Sequence, residues 1–320
     1  MNLKKFGLAA LSASALFLTA CGQEDGAADV ESVVDGEEIE LAYVDWDSEI
    51  ASTHVIGEVL ESLGYDVTLT SLDNAVMWQS VANGDADAMV SAWLPHTHGD
   101  QEAEYGDQMD HVGTNLEGAK IGLGVPTYME VDSIADLTDE AEQTITGIEA
   151  GAGVVQSAEQ ALEDYDNLSD WTVATSSSGA MVTELETAIN NEEDIVVTAW
   201  SPHWKFQTFD LKYLDDPEES FGGDETIETY AREGLEEDMP EAYSVLENFY
   251  WELDEMEEVM LDISEGAEPE DAAAQWVEEN QDRVSEWTAN VTGESQDQDD
   301  QAEDDQADEE TDDGAEDDAA

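Results

Sequence analysis

Two six-residue segments of this chain nearly repeat each other: Ser91-Ala92-Trp93-Leu94-Pro95-His96 and Thr198-Ala199-Trp200-Ser201-Pro202-His203. The likeness extends upstream of both. Ile39–Val44 (IELAYV) reads as a buried strand, and Ser48–Leu63 sets Ile50, Ile56, Val59, Leu60 and Leu63 on one helical stripe that Asp47 or Ser48 could cap. Gly64 ends that helix, Tyr65–Leu72 alternates as a strand, and Asn74–Ala82 is a short helix. After the Asn83-Gly84 turn, Asp87–Trp93 makes a third strand. The same order recurs about 106 residues later, with strands at Thr144–Ile148, Asp170–Thr175 and Asp194–Trp200 and helices at Val154–Tyr165 and Gly179–Asn190.

Alternating strands and helices pack as parallel sheets whose carboxyl ends carry ligand chemistry. Two such halves in tandem predict an α/β fold of two lobes, 39–142 and 143–217, with a cleft between them. Residues 218–292 read as a helical part packing on the lobes, with helices at Glu241–Asn248, Glu255–Ser264 and Pro269–Thr288. From 293 to 320 only polar, small and acidic residues remain, the composition of a disordered tail.

Charge narrows the function. The 320 residues carry 83 acids against 7 Lys and Arg, for a net charge of −76. Such a surface excludes nucleic acid as partner and a polybasic membrane patch. Segments 22–40 and 294–320 hold 8 and 15 of the acids, so the body keeps 60 acids against 5 bases. The folded part is itself saturated with carboxylates, which repel one another at low salt and are screened at high salt. This composition points to a protein of a halophile, built for molar salt. A single cysteine leaves no intrachain disulfide and no Cys-based zinc cluster.

Lys4-Lys5 followed by the apolar run 6–20 has the form of a signal peptide (1–20), too short to span a bilayer comfortably. It ends in Leu18-Thr19-Ala20-Cys21-Gly22, which resembles the bacterial lipobox. The chain's one cysteine, Cys21, is therefore the expected lipidation site, its acyl chains anchoring the protein outside the cytoplasmic membrane. The polar segment 21–38 is then an acidic tether.

Trp46, Trp93 and Trp200 stand at or just past the carboxyl ends of predicted strands, where both halves face one cleft. Three indole faces make a cage for a quaternary ammonium, since each offers a negative quadrupole to a diffuse cation. Trp78, Trp171 and Trp204 read as packing. Gly147–Val154 (GIEAGAGV) runs from strand into helix through three glycines, and free N–H groups at a helix start bind anions. Its glycine spacing is not that of a dinucleotide site. His98 follows Trp93 by five residues and could donate to the same anion.

A cage with an anion site describes a ligand bearing a trimethylammonium at one end and a carboxylate at the other. In Tyr43–Thr53, Tyr65–Trp78, Ser91–His98, Gly147–Val154, Val196–Trp204 and Leu211–Pro217 the chain resembles the glycine betaine-binding proteins of bacterial osmoprotectant ABC importers. It resembles the branch whose two halves occur in circularly permuted orders. The resemblance covers roughly Ile39 to Val291. It implies a two-lobed periplasmic-binding-protein fold (type II) that closes on glycine betaine or a related osmolyte. It also implies a permease and ATPase in the membrane as partner, with no cofactor. In such relatives the cage tryptophans correspond to Trp46, Trp93 and Trp200. The carboxylate is held there by a histidine matching His98 and by N–H groups matching Gly153 and Val154.

The alternative is an extracytoplasmic zinc-binding lipoprotein using His96, His98, His111 and His203. An enzyme has less support: the chain contains neither Gly-x-Ser-x-Gly nor His-Glu-x-x-His.

Overall fold

The computed structural model describes residues 33–292. The expected leader, the Cys21 lipidation site, the tether through residue 32 and the acidic tail from 293 lie outside the described residues. The first repeat forms β1 (Glu38–Tyr43), α1 (Asp47–Ser62), β2 (Asp66–Ser71), α2 (Asn74–Asn83) and β3 (Ala88–Leu94). After α3 (Gly99–Tyr105) comes β4 (Met109–Pro126), a strand of 18 residues. The second repeat forms β5 (Thr144–Gly147), α4 (Gly153–Asp164), β6 (Thr172–Thr175), α5 (Ser178–Asn191) and β7 (Val196–Ser201). Then follow α6 (Lys205–Thr208), β8 (Leu211–Tyr213) and β9 (Glu225–Arg232).

Within each repeat the strands pair in parallel, β2-β1-β3 in the first and β6-β5-β7 in the second. The repeat read from the sequence is therefore a repeat of topology. The sheets are mixed rather than parallel throughout, because each acquires antiparallel strands from outside its repeat. β9 inserts between β3 and β4, and β4 spans both sheets: Met109–Ala119 pairs with β9, while Lys120–Pro126 pairs with β7 and β8. The passage from one sheet to the other thus falls inside β4, near Lys120.

The segment after 218, read as mostly helical, also contains the strand β9. Its sequence ETIETYAR hides the strand because Glu225 and Glu228 are buried acids (2% and 6% exposed) that look like surface positions. Glu225 accepts the N–H groups of His96 (2.8 Å) and Thr97 (2.7 Å) and also bonds the Thr97 hydroxyl. Glu228 accepts from His111 Nε2 at 2.8 Å and from Thr114 Oγ1 at 2.9 Å.

Four helices follow the short turn α7 (Leu235–Asp238): α8 (Pro240–Asn248), α9 (Leu253–Ser264), α10 (Pro269–Glu279) and α11 (Gln281–Thr292). The single helix expected over 269–288 is two, because Asn280 leaves helical geometry and its side-chain amide donates to the Trp276 carbonyl (2.9 Å). Phe249, Trp251, Trp276 and Trp287 pack here, Trp276 and Trp287 stacked at 5.7 Å. They account for three of the tryptophans outside the cleft. α9 and α10 lie against α1, which buries Val55, Ile56, Val59 and Leu60. Gly57 lets α1 approach β2, for a Cβ there would stand 3.2 Å from Leu69.

Candidate ligand-binding site

Trp46 follows β1, Trp93 lies in β3 and Trp200 in β7. All three border one cavity, with His98, Gly153 and Val154 also in its wall. The structure therefore brings together all six residues singled out in the sequence. The remaining wall residues are Ser48, Thr97, Ile121, Ile148 and Ala152. None of the eleven carries an ionised side chain, in a chain with 83 acids. A free ion buried here would find no countercharge in the wall.

Three indoles form part of the cavity wall. Trp46, Trp93 and Trp200 are 8%, 4% and 5% exposed, so their rings have been withdrawn from water and their faces act at low dielectric. The Trp46 indole is held from across the cleft, its Nε1–H donating to Glu149 Oε2 at 3.0 Å. Its ring stacks on that of His98, centroids 6.1 Å apart at 17°. Trp78, expected to be packing only, also stands edge-on against His98 at 5.8 Å.

The same wall offers hydrogen-bond donors. His98 is fully buried and its Nδ1 accepts the Trp93 N–H (3.1 Å), so the proton of the neutral ring resides on Nε2. Burial pushes His98 down to about 4, and the ring is neutral at physiological pH. Its Nε2 has no hydrogen-bond partner among the described residues, which leaves a buried donor to be satisfied. Gly153 and Val154 open α4, and the first N–H groups of a helix lack intrahelical partners. Among the described residues neither donates to a backbone carbonyl outside its own helix. Gly151 reaches this turn at φ +96°, where glycine is favoured.

Around the cavity the two halves are joined directly. The Thr97 carbonyl lies so near Gly153 that a Cβ there would stand 2.1 Å from it. Neither Asp47 nor Ser48, the two residues that could cap α1, makes a cap bond; the N-cap residue is Trp46, and Asp47 turns elsewhere. Its carboxylate instead accepts from Trp204 Nε1 (2.7 Å) and Ser178 Oγ (2.9 Å), both in the second half, with His203 Nε2 at 3.5 Å. Burial opposes ionisation of Asp47, but the hydrogen bonds from His203 and Trp204 and the charges of His203 and Lys205 outweigh it. They hold its carboxyl well below the usual range. Trp204 is thus more than packing, and Asp47, Glu149, Thr97 and Ser178 had no signal in the sequence that set them apart.

The zinc alternative lacks its geometry. His98 faces the cavity, His96 contacts Ser157 and the Ser220 carbonyl, His111 pairs with Glu228, and His203 packs on Trp200. Among the described residues no group of three or more His, Cys, Asp and Glu is placed to hold a metal ion. No helix among them is long and apolar enough to cross a membrane.

Comparison with known proteins agrees with this geometry. Residues 37–279 match the family model "Substrate binding domain of ABC-type glycine betaine transport system". A "Glycine betaine/carnitine transport binding protein GbuC" of Listeria monocytogenes is 46% identical over 166 residues, 52% of this chain. The match spans 55% of that relative, so the chain covers about half its length. The crystal structure of lactococcal OpuAC in its closed-liganded conformation with glycine betaine superposes with a TM-score of 0.77 at 52% identity, over 79% of this chain and 99% of that one. The glycine/betaine/L-proline-binding protein ProX of Borrelia burgdorferi gives 0.77 at 33% identity, over 80% of this chain and 99% of that one. With three-quarters of its length inside the family model, this chain belongs to the family of substrate-binding domains of ABC-type glycine betaine transport systems.

Proposed function

We propose that the protein captures glycine betaine, or a related quaternary-ammonium osmolyte, outside the cytoplasmic membrane and delivers it to an ABC permease driven by its ATPase. The observation that carries this is a cavity with no ionised side chain, lined by three indoles and by unpartnered N–H donors. A ligand that fits it has no net charge, a desolvated cationic end and an anionic end. In this reading Trp46, Trp93 and Trp200 hold the trimethylammonium, and His98 Nε2 with the N–H groups of Gly153 and Val154 holds the carboxylate. Each half contributes to both ends, so the closed state is favoured only when the ligand satisfies both, a population shift. The protein catalyses nothing in this scheme; it binds and releases. Lipidation at Cys21 keeps it beside the permease, and the net charge of −76 suits a halophile that imports an uncharged osmolyte against external salt.

Titrating glycine betaine in molar salt while following tryptophan fluorescence tests the reading. A saturable change is expected; no response to betaine together with a zinc-dependent one overturns it. Trp93→Ala and Trp200→Ala should each weaken binding by about 2 kcal/mol, the worth of a desolvated cation–π contact. Calorimetry would show this as a roughly tenfold to thirtyfold rise in Kd. Wild-type affinity in both variants would remove the cage assignment. Lowering the salt should lower the melting temperature steadily, because carboxylate repulsion in the body is then unscreened. Unchanged thermal stability in salt-free buffer would contradict the halophilic setting.

A further inference from the structure

Lys205, the first residue of α6, is fully buried, and its Nζ has no hydrogen-bond partner among the described residues. The Nζ lies 3.8 Å from the centroid of the Trp200 ring and 5.8 Å from that of Phe206. Trp200 lines the ligand cavity and Lys205 does not, so the ammonium lies behind the cavity wall, against an indole that forms part of it. A methionine would fill the same volume without burying an amine, so packing alone does not explain a lysine here. An ammonium and a ligand cation that meet the same buried indole repel each other where water and salt are excluded.

We propose that Lys205 tunes the affinity of the site: its protonated form weakens binding of a quaternary ammonium, and binding expels its proton. This rests on the reading that the ligand cation sits against Trp200. The groups around Lys205 leave it free to act in this way. Asp47 of α1 is the acid whose charge acts on it, and it is ionised throughout the neutral range. His203 takes the Lys205 backbone N–H on Nδ1 (3.0 Å). Burial and then the Lys205 charge push His203 down to about 4, against the pull of Asp47. On α9, Glu257 accepts the His203 N–H and the Gln207 amide, and on β8 burial keeps the Tyr213 phenol protonated. Burial pushes Lys205 itself down to about 7, opposed by Asp47, so its charge changes near neutrality. Elsewhere on α1, burial raises Glu49 to about 8; its contribution is common to any pair of proteins that differ only at 205.

The test compares Kd for glycine betaine in the full chain and in Lys205→Met, at pH 6 and pH 9 in molar salt. The variant is expected to bind on the order of tenfold more tightly at pH 6, where the wild-type amine is charged, and equally at pH 9. A ratio that does not change with pH, or weaker binding by the variant at pH 6, overturns the proposal while leaving betaine as the ligand. If neither protein binds betaine at either pH, the ligand reading falls and this proposal with it. The chain has only five lysines, so the wild-type protein supplies a second readout. In lysine-labelled protein the buried ammonium should titrate near neutrality, with its midpoint moved to lower pH by betaine. A midpoint that betaine leaves in place overturns the proposal.

Discussion

Gly153→Ala is expected to abolish measurable betaine binding while the protein remains folded. The alanine methyl would stand 2.1 Å from the Thr97 carbonyl oxygen and 2.9 Å from its carbonyl carbon. Backbone atoms cannot swing aside as a side-chain tip can, and Thr97 is fixed from behind by Glu225, which takes its N–H at 2.7 Å. The one relief is to part the halves, which draws the Gly153 and Val154 N–H groups away from the Trp93 and His98 side of the cavity. Neither half is altered internally, and alanine is a better helix residue than glycine at the start of α4. Far-ultraviolet circular dichroism should therefore match the wild type, while calorimetry with millimolar betaine registers no heat. Binding within tenfold of wild type would mean that the halves do not need this approach to hold the ligand.

The second large effect is expected at Asp47, on residence time rather than on folding. Its carboxylate joins α1 to Trp204 and Ser178 by hydrogen bonds of 2.7 and 2.9 Å. Bonds to a charged acceptor contribute about 1.5–3 kcal/mol each. Asp47→Ala should thus cost the closed state about 3 kcal/mol, or roughly a hundredfold in affinity. Since interface losses fall mostly on dissociation, stopped-flow displacement should show most of that factor in koff. α1 itself should persist, because the Asp47 side chain makes no cap bond to it. Asp47→Asn keeps one acceptor oxygen and should fall between the two. An unchanged koff in Asp47→Ala would mean that these contacts do not hold the cleft closed.

The two residues also mark how far the sequence was legible. The glycines of 147–153 stand out because three of them interrupt a strand-to-helix turn, and Trp93 and Trp200 stand out because the repeat sets them in register. His98 is readable by its place in the same loop. Asp47, Glu149 and Glu225 are not, for among 83 acids one more carries no information until its partners are known. The partners lie far away along the chain: Glu149 reaches Trp46 and Glu225 reaches His96 and Thr97. The same masking hid β9, whose buried glutamates broke the alternation expected of a strand. β4 escaped notice for another reason. It serves two sheets in turn and changes partners near Lys120, so neither a single buried face nor a single period describes its 18 residues. The repeat was visible because it is local, and the strands that tie its two copies together were not.

In a cavity wall without ionised side chains the orientation of a zwitterion is decisive, and a crystal structure with glycine betaine bound measures it most directly. The expected pose has the trimethylammonium among the indoles of Trp46, Trp93 and Trp200, with the carboxylate within hydrogen-bond distance of His98 Nε2 and the N–H groups of Gly153 and Val154. Betaine bound elsewhere, or with its carboxylate turned toward the indoles, would contradict it.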